Sequence, residues 1–306
     1  MEFIKGDVRD MAALDRALDG VDAVFHKAAA VGVAQSMYAI RDYTETNTLG
    51  TANLLELIAS RHRDHIQKMI VASSMSIYGE VKYIDPRSGE PVIPEERTAE
   101  QLKAAQWEMI VPGGTQPARP VPCDELKPLE PTSIYAINKR DQEEMFLTIG
   151  RAYEIPSESL SYFNVYGPRQ ALSNPYTGVA AIFCSRYLNG RGPVIFEDGL
   201  QSRDFIHVHD IARANVMALE SEAAAGQAIN IGTGRATSIK RVADLLLENL
   251  FPERLDDPEL QPKIENRYRA GDIRHCYADI SRARRLLGYA STIPYEEGIA
   301  DLIEWV

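Results

Sequence analysis

The sequence is poor in cysteine. Its three cysteines, Cys123, Cys184 and Cys276, are widely separated and odd in number. They therefore form neither a disulfide framework nor a set of cysteine ligands for zinc, and we expect no metal site. The scarcity of cysteine pairs is typical of a reducing compartment, so we expect a cytoplasmic protein.

The sequence also lacks a long apolar run and an excess of positive charge. No apolar run approaches the roughly 20 residues that span a bilayer, and the first residues are not a secretory signal. The net charge is −11, which argues against nucleic-acid binding. We therefore expect neither a membrane nor a nucleic acid as a partner, and an anionic substrate would need a local arginine cluster.

Short apolar runs alternate with helical patterns, which predicts an α/β fold with a parallel sheet and crossover helices. The predicted strands are 2–5, 21–25, 68–73, 158–163, 193–196 and 228–234. The predicted helices are 11–18, 46–61, 133–153, 178–188, 210–221, 238–250, 279–287 and 295–306. The sequence contains no internal repeat.

Residues 80–131 have a different composition. Nine of the 17 prolines lie there, so regular structure is improbable outside a helical pattern at 99–107. Long loops of this kind are usually functional or disordered. We interpret this insertion as a lid or a substrate-specificity loop, and the alternative is a solvated insertion without contact to substrate.

A serine, a tyrosine and a lysine form the most informative candidate site. Tyr135 and Lys139 are four residues apart on a predicted helix, and Ser74 ends a predicted strand. Residues at this helical spacing share one face. A nearby ammonium favours the phenolate, which tyrosine needs to act as a base at neutral pH. The alternative is an ordinary amphipathic helix face. We expect structural roles, not metal binding, for His26, His207 and His209.

Six segments, taken in order, resemble those of the extended short-chain dehydrogenase/reductases that act on nucleotide sugars. They are 6–10, 26–29, 47–56, 162–169, 199–210 and 269–272. The resemblance implies NAD as cofactor and a Rossmann-like, doubly wound parallel sheet with a smaller C-terminal substrate domain. It also implies a homodimer formed through the helices near 46–61 and 133–153.

The same resemblance implies roles for individual residues. Ser74, Tyr135 and Lys139 take the catalytic roles. The implied cofactor-binding residues are Asp7, Val8, Lys27, Ala28, Ala29, Asn47, Tyr135, Lys139 and Phe163. The implied substrate-binding residues are Ser74, Ser76, Tyr135, Asn164, Thr177, Arg203, Arg269 and Asp272. Arginine forks suit the phosphate groups of such a substrate.

Within this family, the segments 172–181, 198–210 and 271–276 are similar to those of epimerases that act on dTDP-L-rhamnose. Met75 and Ser76 stand where 4,6-dehydratases have an acidic pair, so elimination of water is disfavoured. The resemblance implies NAD-dependent epimerisation at C4 through a transient 4-keto sugar. Two alternatives stay open: an NAD(P)H-dependent 4-ketosugar reductase, and a truncated remnant without catalysis.

The sequence departs from the family pattern at its beginning. The first two strands and the Gly-rich turn between strand and helix, which binds the pyrophosphate, are absent. Judged from the usual spacing, roughly 50 residues are missing. We expect a truncated epimerase. One alternative is a remnant that folds without NAD. Another is a sheet whose missing edge is completed by repacking or by another chain. The expected cofactor domain is 1–166 with about 200–232, and the substrate domain is 167–199 with 233–306.

Overall fold

The computed structural model describes residues 2–171, 178–269 and 272–306. The strands are β1 (Ala23–His26), β2 (Lys68–Ser74), β3 (Lys82–Ile84), β4 (Pro91–Val92), β5 (Arg119–Val121), β6 (Ser157–Tyr162), β7 (Asn164–Tyr166), β8 (Val194–Phe196), β9 (Ser202–Arg203), β10 (Phe205–His207), β11 (Ala228–Ile231), β12 (Thr237–Ser238), β13 (Lys263–Glu265) and β14 (His275–Cys276).

The helices divide into α-helices and shorter segments of other types. The α-helices are α1 (Met11–Leu18), α2 (Val33–Ser36), α3 (Ile40–Tyr43), α4 (Gly50–Leu57), α5 (Ala99–Lys103), α6 (Ile134–Tyr153), α7 (Val179–Leu188), α8 (Val208–Glu220), α9 (Ile239–Leu250), α10 (Ser281–Leu287) and α11 (Tyr295–Trp305). Two π-helical segments are Thr44–Leu49 and Ile58–His62. Two 3-10 turns are Met75–Tyr78 and Pro252–Arg254. No helix among the described residues is both long and apolar enough to cross a membrane.

A parallel sheet of four strands, in the order β1-β2-β6-β11, forms the centre of the N-terminal part. The pairing of β1 with β2 starts at Ala23 and Lys68, and that of β2 with β6 at Met69 and Ser157. All neighbouring pairs are parallel, so the carboxyl ends of the four strands lie at one edge. The predicted α/β fold with a parallel sheet is therefore confirmed.

The side chains of β2 alternate between two cores on opposite faces of this sheet. Met69 and Val71 pack in the core that contains Phe146 of α6. Ile70, between them, packs in the core that contains Ala214 of α8. This period of two is that of a strand. Because helices cover both faces, the sequence of β2 is apolar on both sides.

Helix α6 begins at an N-cap and carries both candidate helix residues on its buried face. The Ser133 hydroxyl accepts a hydrogen bond from the Ala136 N–H at 3.1 Å. The helix ends at Glu154, which has a left-handed conformation. Tyr135 therefore lies in the first turn and Lys139 one turn later, as the predicted helix over 133–153 requires.

The helix predicted over 46–61 is part of a longer helical stretch. It runs without a break from α3 through α4 to His62 and includes both π-helical segments. A π turn contains an extra residue, and such turns are frequent at functional sites. Asn47, which is fully buried, lies in the first of them.

The insertion is more ordered than its prolines predict. It contains helix α5 and a small antiparallel sheet in the order β4-β3-β5. Pro91 and Pro120 lie in the two outer strands, where a missing N–H is tolerated. Tyr83 in the central strand is buried in the main core together with Met109. The expectation of irregular structure was therefore wrong for the strands.

The C-terminal part is built around a second core. Helices α7, α9 and α11 enclose it, and Cys184, Val242, Leu246 and Leu302 are fully buried there. Two short sheets, β12-β9-β14 and β13-β8, lie beside it. The helices predicted over 178–188, 238–250 and 295–306 agree with the structure to within one residue.

The prediction of a strand at residues 2–5 is wrong. These residues have no regular structure, and Phe3 is 87% exposed. A strand needs a neighbour to share its hydrogen bonds, and no described strand pairs with this segment. The open edge of the central sheet is instead β1, where Phe25 is 39% exposed.

We predict that Gly150→Ala destabilises the protein. A Cβ at Gly150 would lie 2.5 Å from the Ser157 Cβ and 2.8 Å from the Ile155 carbonyl oxygen. Alanine in place of glycine normally stabilises a helix. Here the steric overlap should instead lower the free energy of unfolding by about 1–3 kcal/mol. Gly114→Ala is the matched control, because its Cβ would meet the nearest atom at 3.4 Å. Thermal unfolding measures both, and equal melting temperatures would contradict the packing.

Candidate active site

The carboxyl edge of the central sheet collects several residues that the sequence analysis singled out. Ser74 ends β2, Phe163 follows β6, and residues 27–29 follow β1. Helix α6 packs against β2 and presents Tyr135 and Lys139 at the same edge. The parallel arrangement of the strands therefore brings together residues that are far apart in the sequence.

Ser74, Ser76 and Tyr135 form a hydroxyl cluster. The Ser74 Oγ accepts hydrogen bonds from the Ser76 hydroxyl at 2.9 Å and from the Ser76 N–H at 3.2 Å. The second bond caps the turn at Met75–Tyr78. Burial raises the pKa of Tyr135 to about 12, while a hydrogen bond with Ser74 acts in the opposite direction. Tyr135 is therefore a neutral phenol at neutral pH.

Lys139 is held against the central strand. Its Nζ donates a hydrogen bond of 2.8 Å to the Ala72 carbonyl oxygen. Burial, and to a smaller extent the nearby Lys27, lowers the pKa of Lys139 to about 7. Burial dominates the pKa values of both Lys139 and Tyr135 and shifts both groups towards their neutral forms. The expectation that Lys139 favours the phenolate stays a prediction.

The loop after β1 is fixed to two helices. The Asn47 side chain accepts from the Ala30 N–H at 2.7 Å and donates to the Ala30 carbonyl at 3.0 Å. Further along, the Ser36 hydroxyl accepts from the Tyr135 N–H at 3.0 Å. Asn47 therefore fixes the turn that contains Ala28 and Ala29. Its side-chain amide bonds to the backbone of the protein itself.

His26 ends β1 and Lys27 follows it, and both residues have lowered pKa values. The His26 ring is buried and stacks on Phe146 with a centroid distance of 5.5 Å. Burial first, and then Lys139 and Lys27, lowers the pKa of His26 to about 4. The Lys27 ammonium contacts the Tyr162 hydroxyl and the Asn215 amide oxygen, and burial lowers the pKa of Lys27 to about 8.

Asp7 and Val8 lie at the surface beside α4. Three hydrogen bonds from Arg9, at 2.6–3.0 Å, lower the pKa of Asp7 to about 2. A Cβ at Gly50 would lie 2.5 Å from the Val8 Cγ2, so only glycine allows this close approach. Arg9 therefore holds the ionised Asp7 carboxylate in place, and the contact of Val8 with Gly50 places this segment next to the start of α4.

The predicted substrate residues lie along β7, β9 and the segment before β14. The buried Asn164 Oδ1 has no hydrogen-bond partner among the described residues. The Arg203 guanidinium donates to the Ile273 carbonyl at 2.6 Å and lies 3.7 Å from the Asp272 carboxylate. Arg269 lies over the Phe196 ring at 5.1 Å. Thr177 lies outside the described residues.

A buried arginine joins the insertion to this segment. Arg274 is fully buried and forms ion pairs with Glu108 of the insertion, with Glu197 at 3.0 Å and with Asp198 at 2.7 Å. Arg97 of the insertion donates to the Asp272 carbonyl at 2.7 Å. The insertion is therefore bonded to the segment of a predicted substrate residue, which favours a specificity loop over a solvated insertion.

Two features of this site were not found from the sequence. The contacts of Lys27 with Tyr162 and Asn215 join the ends of β1 and β6 to the middle of α8, and no local pattern predicts them. Arg274 lies two residues after Asp272, and its complete burial is the second feature that the sequence does not predict. Its partners Glu108, Glu197 and Asp198 come from two distant parts of the sequence, so no local signal indicated their meeting.

A parallel sheet with helices on both faces, and with a serine and a Tyr-x-x-x-Lys pair at its carboxyl edge, is typical of an extended short-chain dehydrogenase/reductase. The chain belongs to the NAD dependent epimerase/dehydratase family, whose model matches residues 1–103 and 111–232. The predicted family and its NAD cofactor are thereby confirmed.

Relatives with known names are similar over nearly the whole chain. The dTDP-L-rhamnose 4-epimerase of Burkholderia thailandensis is 33% identical to this chain. The matched region spans 100% of this chain and 81% of the length of that protein. The UDP-N-acetylglucosamine 4-epimerase of Methanobrevibacter ruminantium, solved with UDP-N-acetylmuramic acid, has a TM-score of 0.76 at 29% identity, with coverages of 99% and 81%. MoeE5, solved with UDP-glucuronic acid and NAD, has a TM-score of 0.76 at 27% identity, with coverages of 99% and 84%.

We predict that Lys139→Met changes how stability depends on pH. The pKa of Lys139 is lowered from 10.5 to about 7 on folding. Between these values the unfolded chain binds more protons than the folded one, so raising the pH stabilises the wild type. The variant lacks this contribution.

The melting temperature of the nucleotide-free wild type should therefore rise relative to Lys139→Met between pH 7 and about 10. Circular dichroism at several pH values measures it. Lys103→Met, at an exposed position on α5, controls for the loss of one charge. A constant difference between wild type and Lys139→Met would show that Lys139 is not desolvated.

Proposed function

We propose that this chain catalyses NAD-dependent epimerisation at C4 of a nucleotide-diphosphate sugar, with dTDP-L-rhamnose as its substrate. The observation that carries the proposal is the meeting of Ser74 with Tyr135 and Lys139 at one edge, without an acidic residue directly after Ser74. The 33% identity to a dTDP-L-rhamnose 4-epimerase supports the choice of sugar.

The residues at the sheet edge fit a nicotinamide cofactor. The Lys139 ammonium donates one of its three N–H groups to Ala72, which leaves two for ribose hydroxyls. Asp7 and Val8 would hold the adenine, Phe163 would lie at the nicotinamide, and residues 27–30 would follow the dinucleotide. NAD supplies the acceptance and return of a hydride at C4.

Tyr135 would move the proton of the C4 hydroxyl. Its phenol is a neutral donor in the structure and becomes a base only when its pKa falls. A protonated Lys139 and the Ser74 hydroxyl would both favour the phenolate, by charge and by hydrogen bonding. The resulting 4-keto sugar would turn over in the pocket and be reduced on its other face, with the same phenol returning the proton.

The polar residues of the C-terminal part would bind the rest of the substrate. The Asn164 Nδ2 group would donate to the pyrophosphate region, while its buried Oδ1, which has no hydrogen-bond partner within the described ranges, would be free to accept from a donor of the substrate. Arg203 would bind a phosphate or the ribose of the nucleotide. Arg269 would bind a phosphate and Asp272 the ribose, since arginine forks match phosphate oxygens. Ser76 and Thr177 complete the proposed set.

The oligomeric state and the cellular location of the protein stay predictions. A homodimer through α4 and α6 is supported by exposed apolar residues near these helices, because Leu49 is 49% and Ile137 41% exposed. A cytoplasmic location is supported by the three cysteines, all of which are free and buried.

We predict that Tyr135→Phe abolishes turnover without unfolding the chain. Removing the hydroxyl removes proton transfer, which is typically worth about 10²–10⁴-fold in rate. Tyr153→Phe on the same helix is the matched control and should keep full activity. Conversion of dTDP-L-rhamnose to its C4 epimer, followed by NMR, measures both variants. Undiminished activity of Tyr135→Phe would contradict the catalytic assignment.

We also predict that turnover needs no added NADPH or NADH. An epimerase recycles its cofactor, whereas the alternative 4-ketosugar reductase consumes one equivalent per product. The assay compares dTDP-L-rhamnose with UDP-glucose and UDP-glucuronic acid, with and without NAD. A strict requirement for NADPH would favour the reductase, and no turnover of any sugar would favour the non-catalytic alternative.

A further inference from the structure

Two histidines and an aspartate meet where α8 begins beside α11. His207 ends β10 and forms the N-cap of α8, His209 lies in the first turn, and Asp301 lies on α11. One ligand atom from each residue lies within 4.8 Å of the other two. None of the three residues belongs to the active site proposed above, and the sequence analysis predicts structural roles for both histidines.

The distance between His207 and Asp301 suits two ligands of one metal ion. The His207 Nε2 lies 3.3 Å from the Asp301 Oδ2, yet this buried nitrogen has no hydrogen-bond partner among the described residues. A charge-assisted hydrogen bond would be about 2.7–2.9 Å long. Two ligands at about 2.1 Å from a tetrahedral ion are about 3.4 Å apart. The observed separation is therefore too long for a good hydrogen bond and suited to a shared ion.

Two glycines keep the outer edge of the His207 ring open. A Cβ at Gly167 would lie 3.3 Å from the His207 Nε2, and a Cβ at Gly298 would lie 3.0 Å from the His207 Cδ2. Gly298 is also three residues before Asp301, on the same side of α11. Side chains at either position would crowd the place between the imidazole and the carboxylate.

One ligand is rigid and the other two can adjust. His207 is fully buried, and its ring meets the Tyr166 ring edge-on at 5.3 Å. His209 and Asp301 are exposed, so their side chains can turn to bring the three ligand atoms, which already lie within 4.8 Å of one another, closer together. The His209 N–H donates a hydrogen bond of 3.3 Å to the His207 Nδ1, which caps α8. An ion on Nε2 would place the proton on Nδ1, so metal binding would replace this long hydrogen bond.

We propose that His207, His209 and Asp301 bind a divalent transition-metal ion, with zinc as the best match. Two imidazoles and one carboxylate are typical ligands of zinc, nickel and cobalt, whereas magnesium and calcium prefer oxygen alone. A solvent molecule takes the fourth position because His209 and Asp301 face the surface. The ion links the start of α8 to α11 and stabilises the folded chain, since it binds the folded form preferentially.

Titration of the chelator-treated chain, without a histidine tag, tests the site. Isothermal titration with zinc chloride should give one equivalent bound with a micromolar dissociation constant, and the melting temperature should rise with zinc. Cobalt should bind in the same place and give the visible absorption of a four-coordinate ion. Magnesium at the same concentration should not bind.

His209→Ala and Asp301→Asn should each weaken zinc binding at least tenfold and remove the thermal shift. Both side chains are exposed, so these variants should fold, which circular dichroism verifies. His65→Ala is the control, because His62 and His65 form another histidine pair with a centroid distance of 5.2 Å. Absence of binding at 100 µM zinc, unchanged affinity in His209→Ala, or loss of binding in His65→Ala would each overturn the proposal.

Discussion

The hydrogen bond from the Lys139 ammonium to the Ala72 carbonyl, 2.8 Å long, fixes the geometry of the candidate active site. Ala72 lies inside β2, so this bond sets how far α6 is shifted along the central strand. Ser74 comes two residues later on the strand, and Tyr135 one turn earlier on the helix. The two hydroxyls therefore meet because of the register between helix and strand. Neither residue would reach the other if the helix moved by one turn.

Burial has opposite electrostatic consequences in the two halves of the site. At the sheet edge, no opposite charge within the described part of the chain acts on Tyr135 or Lys139, so burial shifts their pKa values to about 12 and about 7, towards the neutral forms. Around Arg274, burial alone would raise the pKa of Glu108, but hydrogen bonds from His275 and Arg274 lower it to about 2. The first group can titrate as a ligand enters. The second stays ionised and holds the insertion in place.

The sequence predicted the parallel sheet well because each strand carries its own local signal. The apolar run over 68–73 and the helix over 133–153 lie where expected, and their ends bring Ser74 and Tyr135 together. Predictions failed where the structure of a segment depends on the segment that packs or pairs with it. Residues 2–5 have strand-like composition without a pairing partner, and β3 forms because β4 and β5 lie on either side. The meeting of His207 with Asp301 depends on how α11 packs, which no local pattern encodes.

Ser76, two positions after Ser74, limits the chemistry that this edge of the sheet can perform. Elimination of water from a sugar needs a group that removes a proton from carbon and an acid that protonates the leaving hydroxyl. Ser76 is buried and its hydroxyl donates a hydrogen bond of 2.9 Å to the Ser74 Oγ, and a hydroxyl of this kind is too weakly acidic or basic for either role. It can, however, strengthen Ser74 as a hydrogen-bond donor to a sugar oxygen. The edge is thus suited to proton transfer at oxygen, through Tyr135, coupled to hydride transfer at carbon.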